Sequence, residues 1–330
     1  MNTLNIHESL KRKVVMEQKK NLITFLFLFF IVVTIILITG CQNSPVEPQS
    51  SDTTTDKQAM EGMIDQDSSI ASFEPNYNEE DVMGFLGKTS TAIYPIKIGN
   101  RVRLVNRTIN IDVLGDSAYG TITRTYEGVL LIAAAYDTAA TTPDTLIKKL
   151  FTSVVTQNVI FKRVANTSSP LRNWKLAAIS LPEGGTASPN IDLTKVTMFL
   201  PSGDTLMITS PNDYYLSRNI ARWRQIPVIN RNQPVTIQVE LFSSYEEDDF
   251  VTLTYGADQK GMNRAKRKFE LVSSTPSGNG FAKIYQQIFT THQFPGFFHA
   301  VINAYPRQVI FDDAAPVENE MWGIPYAVKR

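Results

Sequence analysis

Side chains that could act as nucleophiles or general bases are scarce in this chain of 330 residues. It contains three histidines, His7, His292 and His299, and a single cysteine, Cys41. His292 lies in a predicted turn and His299 in a predicted strand, so we expect structural roles for both. The sequence has no Gly-x-Ser-x-Gly, His-Glu-x-x-His or phosphate-loop motif. This pattern favours a protein that is not an enzyme and that needs no cofactor.

Two clusters of carboxylates could still do chemistry. The first consists of Glu246, Glu247, Asp248 and Asp249. The second consists of Asp312 and Asp313, followed by Glu318 and Glu320. Carboxylates can form an acid–base pair for hydrolysis, or bind calcium, which takes about six to eight oxygen ligands. Neither cluster has the spacing of an EF-hand loop. The alternative is a solvated loop that keeps the strand ends soluble, and no metal is predicted.

An aromatic group, Tyr214, Tyr215 and Trp223, interrupts the strand pattern between residues 211 and 227, where arginines also accumulate. Exposed tyrosine and tryptophan beside arginine have the composition of an interface hot spot or a sugar-binding platform. The alternative is that these aromatics cover a gap between two domains. We keep all three as candidate interface residues.

The chain begins with a segment that predicts export. Basic residues at positions 11–13 and 19–20 precede an uncharged apolar run, Leu22–Ile38, which ends in Ile38-Thr39-Gly40-Cys41. A basic region, an apolar region and a small-residue cleavage site are typical of a secretory signal. Translation from Met16 would give a signal of more usual length. The alternative is an uncleaved membrane anchor, because the apolar run nearly reaches spanning length.

The Ile-Thr-Gly-Cys ending resembles the lipobox of bacterial lipoproteins. The resemblance implies that residues 1–40 are removed and that Cys41 carries lipid, so membrane lipid is the first expected partner. It implies an extracytoplasmic, membrane-anchored protein. Gln42, which is not Asp, implies transfer to the outer membrane in a Gram-negative source. A Gram-positive source would place the protein on the outer face of its only membrane.

The rest of the chain predicts a globular protein on a short tether. Residues 41–56 are polar, without an apolar period, and should form a disordered tether. The whole chain balances 32 basic residues against 32 acidic ones. No basic excess is available to neutralise phosphates, so nucleic acid is not expected as a partner.

Residues 57–184 predict an α+β domain with a curved antiparallel sheet. Short helical stretches at 59–64 and 79–86 come first, and apolar residues then alternate through a long hairpin with a turn at 114–117. The hairpin at 108–135 and the strand entry at Arg172-Asn173-Trp174-Lys175-Leu176 resemble the cone-shaped nuclear-transport-factor-2-like superfamily. That resemblance implies a concave pocket.

Residues 185–330 predict a second, mainly β domain. Strands at 8–12 residue spacing, including one at 267–273, are separated by turns, which is typical of an antiparallel sandwich. The region resembles bacterial immunoglobulin-like modules. Pro182-Glu183-Gly184-Gly185 is the predicted boundary.

These features predict a membrane-tethered, non-catalytic binding or assembly module, with an envelope protein or a glycan as its partner. Two alternatives stay open. One is an envelope hydrolase that uses the carboxylate clusters as acid and base. The other is a purely structural spacer without a saturable ligand.

Overall fold

We describe the fold from a computed structural model, which covers residues 55–67, 83–84, 93–137, 139–219, 222–223, 226–257 and 265–329. The side chains of residues 83, 84, 219, 222, 223 and 257 are not described. The predicted signal, Cys41, residues 41–54 of the tether and most of the predicted helix 79–86 lie outside this coverage. The fold is mainly β, with antiparallel sheets and a few short helices, as the sequence predicts.

The helices are α1 (Asp56–Gln66), α2 (Pro170–Asn173) and α3 (Arg307–Phe311). The strands of the first half are β1 (Met83–Gly84), β2 (Tyr94–Leu114), β3 (Ser117–Ala135), β4 (Thr145–Arg163), β5 (Trp174–Ser180), β6 (Glu183–Gly185), β7 (Ile191–Phe199), β8 (Thr205–Ile208) and β9 (Tyr215–Asn219). The strands of the second half are β10 (Arg222–Trp223), β11 (Val228–Asn230), β12 (Pro234–Ser243), β13 (Phe250–Ala257), β14 (Ala265–Lys268), β15 (Glu270–Ser277), β16 (Gly280–Thr290), β17 (Gly296–Tyr305) and β18 (Glu320–Lys329).

The long strands β2, β3 and β4 form an antiparallel meander because their apolar residues alternate. On β3 the even-numbered residues from Ala118 to Ala134 are buried, and the odd-numbered ones form the outer face. Gly115, with φ +62°, makes the predicted turn between β2 and β3. The strands of this hairpin are longer than the sequence pattern indicated, since β2 already starts at Tyr94.

The short strand β6 joins the meander to the C-terminal strands. It pairs with β4 on one side and with β18 on the other, and the sheet continues through β17 and β13 to β14. A Cβ atom on Gly184 would lie 2.0 Å from the carbonyl oxygen of Val154, and one on Gly185 would lie 2.1 Å from that of Asn319. Only glycine fits between two such close backbones.

The predicted domain boundary therefore falls inside a paired strand. Residues 54–330 form one compact unit, and strands from both sides of residue 184 belong to one continuous sheet. The Pro-Glu-Gly-Gly sequence has the composition of a linker, yet its two glycines serve close packing between β4 and β18. We call this junction of β4, β6 and β18 the seam.

A second sheet, in the order β15-β16-β12-β7-β8, covers one face of the C-terminal strands. One core cluster contains alternate buried residues of β12 from Val235 to Leu241 and of β17 from Phe298 to Ala304. Another cluster joins Leu130 of β3 with Tyr305 of β17 and with the apolar residues of α3. Distant strands of the large sheet thus share a core, which means that this sheet is strongly curved. The arrangement is consistent with a β-sandwich. Trp174 and Trp322 are buried in the first of these clusters.

Helix α1 begins with a capping box in which Thr55 Oγ1 accepts from the backbone N–H of Gln58, at 3.2 Å. Thr55 and Asp56, expected in the tether, therefore belong to this helix and its cap. Ion pairs to carboxylates of α1 and its C-cap come from Arg163, Arg107 and Arg218.

Two other local predictions are wrong. Met83 and Gly84 pair with β2 and are not helical. The expected strand 267–273 is two strands in different sheets, because Phe269 turns into the core between β14 and β15.

Candidate functional site

A groove of about 590 Å³ lies on the outer surface at the seam. Thr156 of β4 and Glu183 of β6 form one side, and Asp192 and Glu320 belong to the other. The glycines of β6 and the loop residues 187–189 also line it. Gly184 and Gly185 of β6 have no side chains that could fill the space between β4 and β18, and this leaves the groove open. We call it the seam groove.

The carboxylate of Glu183 is held in place by an asparagine. Asn212 Nδ2 donates to Glu183 Oε1 at 2.6 Å and also lies 2.7 Å from Thr156 Oγ1. The backbone carbonyl of Asn212 in turn accepts from Asn158 Nδ2 at 3.1 Å. This network fixes a carboxylate, an amide and a hydroxyl along one wall, so that a polar ligand meets preorganised groups.

Glu320 has an unusual protonation equilibrium. Burial, together with the nearby carboxylates of Asp192 and Glu183, raises the pKa of Glu320 to about 7. Its two oxygens each accept one N–H group, from Leu193 N at 2.6 Å and from Trp322 Nε1 at 2.9 Å. The bond from Leu193 joins β18 to the start of β7, so Glu320 has a structural role at the groove wall.

Glu318 fixes the loop that forms the rim of the groove. Its Oε2 accepts from Ser188 Oγ at 2.7 Å and from Asn190 Nδ2 at 2.8 Å. Ala187, in the same loop, has φ +36°, which is unusual for a residue with a Cβ atom. Glu318 and Glu320 are therefore placed by the fold beside the loop 186–190, and away from Asp312 and Asp313.

The groove carries negative potential. Glu183, Asp192 and Glu320 line it, and none of the described lining residues is basic. Hydroxyl and amide groups of Thr156, Ser188 and Asn319 supply further hydrogen-bonding positions. Such a surface suits a neutral, hydroxyl-rich ligand or a cationic one, and it repels phosphate and other anions.

The predicted aromatic group is only partly described. Tyr214 is half-buried against the main core, and its carbonyl oxygen accepts from the N–H of Leu181. Tyr215 is half-buried, and this burial is the main cause that raises its pKa. Trp223 pairs with Arg218 in the β9–β10 ladder, and its side chain lies outside the described residues.

The first carboxylate cluster is divided by the fold. Glu246 and Glu247 are exposed, as a solvated loop predicts, and Asp248 pairs with Lys268 at 2.9 Å. Asp249 instead lies fully buried, where it binds Lys283 at 2.9 Å and accepts from Ser243 at 3.1 Å. A carboxylate engaged in this way is not available to a substrate.

Asp312 and Asp313 of the second cluster lie in a loop whose backbone carbonyl groups bind Lys149. Lys149 Nζ donates to the carbonyl oxygens of Val309 and Ala315, each at 2.8 Å, and to that of Asp312. Burial lowers the pKa of Lys149, while the carboxylates of Asp312 and Asp313 oppose this effect. Asp312 Oδ1 accepts from the N–H of Ala314 at 2.9 Å and stabilises the turn.

Neither histidine lines the seam groove. Burial lowers the pKa of His299 to about 3, which keeps its imidazole neutral at neutral pH. His292 packs its ring against Phe298, with ring centroids 4.6 Å apart, and near Tyr255. Both contribute to packing in the interior.

Within the described ranges, no group of three or more His, Cys, Asp or Glu side chains is arranged to hold a metal ion. Helices long and apolar enough to cross a membrane are absent from the same part of the chain. The apolar run 22–38 and Cys41 lie outside it.

Sequence reasoning missed Glu183 and Asn212 as site residues. Glu183 stands in what looked like a linker, and Asn212 lies in a 3-10 turn, Pro211–Asp213. No local pattern relates positions 29 residues apart, which the hydrogen bond between them spans. Comparison with family models, with curated proteins and with solved structures finds no match for this chain, so both family resemblances stay predictions.

Proposed function

We propose that this protein is a lipid-anchored, extracytoplasmic binding module of the bacterial envelope, and that the seam groove is its ligand site. The observation that carries the proposal is the Glu183 wall, where a carboxylate is fixed by Asn212 at the edge of a groove of about 590 Å³. A groove with a few preorganised polar groups is the usual form of a ligand site.

The charge of the groove limits the ligand. The carboxylates of Glu183 and Asp192, with no basic residue among the described lining positions, favour a neutral or amino-bearing glycan, or a basic segment of an envelope protein. The hydrogen bonds from Asn158 to Asn212 and from Asn212 to Glu183 support this choice, because they hold amide and carboxylate groups in place along one wall of the groove.

A second candidate function, carboxylate-dependent hydrolysis, is favoured by one observation. The raised pKa of Glu320 would suit a general acid, and Glu183 lines the same groove. Against this, both oxygens of Glu320 already accept backbone or indole N–H groups. Binding is therefore the function that we put forward first.

The experiment is an affinity pull-down of the full-length protein from crosslinked, detergent-solubilised envelope, combined with a glycan array. We expect a saturable partner or glycan whose binding falls at least tenfold with Glu183→Gln and Asp192→Asn. Glu127→Gln, an exposed carboxylate of the large sheet outside the groove lining, is the matched control. Equal binding by all variants would overturn the groove assignment.

The same experiment separates the other candidates. Cys41→Ala should abolish lipidation, measured by mass spectrometry, without changing ligand affinity, because Cys41 is not among the described residues that line the groove. Turnover of a glycan, lost in Glu320→Gln and in Glu183→Gln, would establish the hydrolase instead. A protein that stays membrane-bound but binds nothing saturably would be a spacer.

A further inference from the structure

The outer face of the β2–β4 meander is divided into two chemically different halves. The pairing registers align residues of the three strands in rows, and each row combines one residue from each strand. Near the turn at Gly115 the rows are rich in threonine and asparagine, such as Asn110, Thr121 and Asn158. Toward the start of β4 the rows become basic and apolar.

The basic and apolar half has four consecutive rows. They are Lys97–Ala133–Leu146, Gly99–Leu131–Lys148, Arg101–Val129–Leu150 and Arg103–Glu127–Thr152. We call this surface the basic–apolar face.

Its leucines are strongly exposed. Leu150 is 81% exposed and Leu146 is 55% exposed, although leucine in a paired strand normally packs against a partner. Leu150 has Val129 beside it in the ladder, and Leu131 lies one row further along the same face. A shallow concavity of about 1120 Å³ lies along the rows of Arg101 and Arg103, and Leu150 is among its lining residues. The face thus offers apolar side chains that could leave water when a suitable surface is present.

The face carries a net positive charge. Lys97, Arg101, Arg103 and Lys148 surround the leucines, and the single carboxylate in these rows, Glu127, pairs with Arg103 at 3.0 Å. The exposed Arg103–Glu127 pair is weak in water. Cations around exposed leucines are complementary to an anionic lipid surface, where the headgroups attract the charges and the leucines enter the interface.

We propose that the basic–apolar face docks on the anionic lipid surface of the membrane that carries the protein. The inference rests on the proposed lipid anchor, which would keep this face close to the bilayer. The seam groove begins at Val154 and Thr156 of β4, four to six residues beyond Leu150. At a rise of about 3.3 Å per residue, this is roughly 13–20 Å along the strand. Docking therefore holds the groove near the lipid headgroups, where its ligand must also lie.

The test uses residues 42–330 without lipid, since residues 54–330 form one compact unit with its own cores. We expect sedimentation with vesicles that contain one third phosphatidylglycerol in phosphatidylcholine, and at least tenfold weaker partition into pure phosphatidylcholine. High salt should weaken the binding, because each basic residue near the surface contributes about 1 kcal/mol, or about fivefold in partition.

Substitutions on the basic–apolar face test whether this face is the part of the protein that binds the vesicles. Leu146→Ser with Leu150→Ser, and Arg101→Gln with Lys148→Gln, should each reduce partition at least tenfold. The matched controls are Leu114→Ser and Lys162→Gln, which change an exposed leucine and an exposed lysine at the opposite end of the meander. No partition into anionic vesicles, or an equal loss with the control variants, would overturn the proposal.

Failure of this proposal would be distinguishable from failure of the proposed function. The vesicle experiment lacks the anchor, so its failure leaves the anchor and the groove unaffected. Conversely, a Cys41 that carries no lipid in the full-length protein, measured by mass spectrometry, would contradict the anchor, even if the unlipidated protein bound vesicles.

Discussion

Asp249 and Lys283 form an ion pair in which neither side chain reaches solvent, with Nζ and Oδ2 2.9 Å apart. Asp249 is the last residue of the loop before β13, and the pair connects it to β16. Lys283 also donates to the backbone carbonyl of Glu247. Ser243 and Tyr285 complete the hydrogen bonds around Asp249. A charge at the end of an acidic run is thus part of the interior, where it holds the loop 244–249 against the small sheet.

Replacing one partner of this pair should strongly destabilise the protein. Lys283→Met leaves Asp249 buried without its cation, and removal of one member of a buried pair costs about 3–5 kcal/mol. Chemical denaturation would measure the loss in the free energy of unfolding. The double variant Asp249→Leu with Lys283→Met should recover much of the stability, because no charge then remains buried. A single variant within 1 kcal/mol of wild type would contradict a buried pair.

The seam should tolerate no side chain at Gly184. Gly184→Ala places a Cβ atom 2.0 Å from the carbonyl oxygen of Val154, so β4 and β6 must separate. We expect a loss of more than about 3 kcal/mol or failure to fold, as for other backbone clashes. Gly62→Ala, in helix α1, is the matched control because nothing lies within 4 Å of its added Cβ. It should stabilise the protein by about 0.5–1 kcal/mol, and thermal unfolding compares the two.

Stability should fall as the pH rises through the titration of Glu320. Its pKa is raised from 4.5 to about 7, so between these values the folded state binds more protons than the unfolded state. The free energy of unfolding therefore decreases with pH in this window, by at most about 3 kcal/mol and by less after screening by solvent. Denaturation of wild type and Glu320→Gln at pH 5 and pH 8 measures this, and the variant should lose the decrease. Identical pH profiles would contradict the raised pKa.

Lys149 should be important for the stability of the fold, in contrast to the adjacent Lys148. Lys149→Met leaves the carbonyl oxygens of Val309, Asp312 and Ala315 without their donor, and each buried unsatisfied group costs about 1–3 kcal/mol. We expect a loss of at least 2 kcal/mol in denaturant unfolding. Lys148→Met, at the adjacent exposed position, should change stability by about 0.5 kcal/mol or less. Similar losses in both would show that charge alone matters.

The local pattern predicted much of the secondary structure. Alternation located the hairpin with its turn at 114–117 and the strand Trp174–Ser180, since each pattern spans neighbouring residues and the period of a strand is two. It did not predict the separate sheets of β14 and β15, because the buried Phe269 between them looks like any other strand residue. Nor did it identify the candidate groove, whose lining combines Val154 and Thr156 with residues between 183 and 192, Phe242, and residues 319–320.

By itself, the sequence determined the mainly β character and the shortage of catalytic side chains, and it predicted an export signal before Cys41. These depend on composition and on spacing over a few residues. Tertiary structure alone decided that Glu183-Gly184-Gly185 joins a sheet instead of separating domains, that Asp249 is buried with Lys283, and that cations and leucines of three strands share one face. The physical reason is that strand pairing and charge burial depend on partners tens of residues away, and no local period records which partner a residue meets.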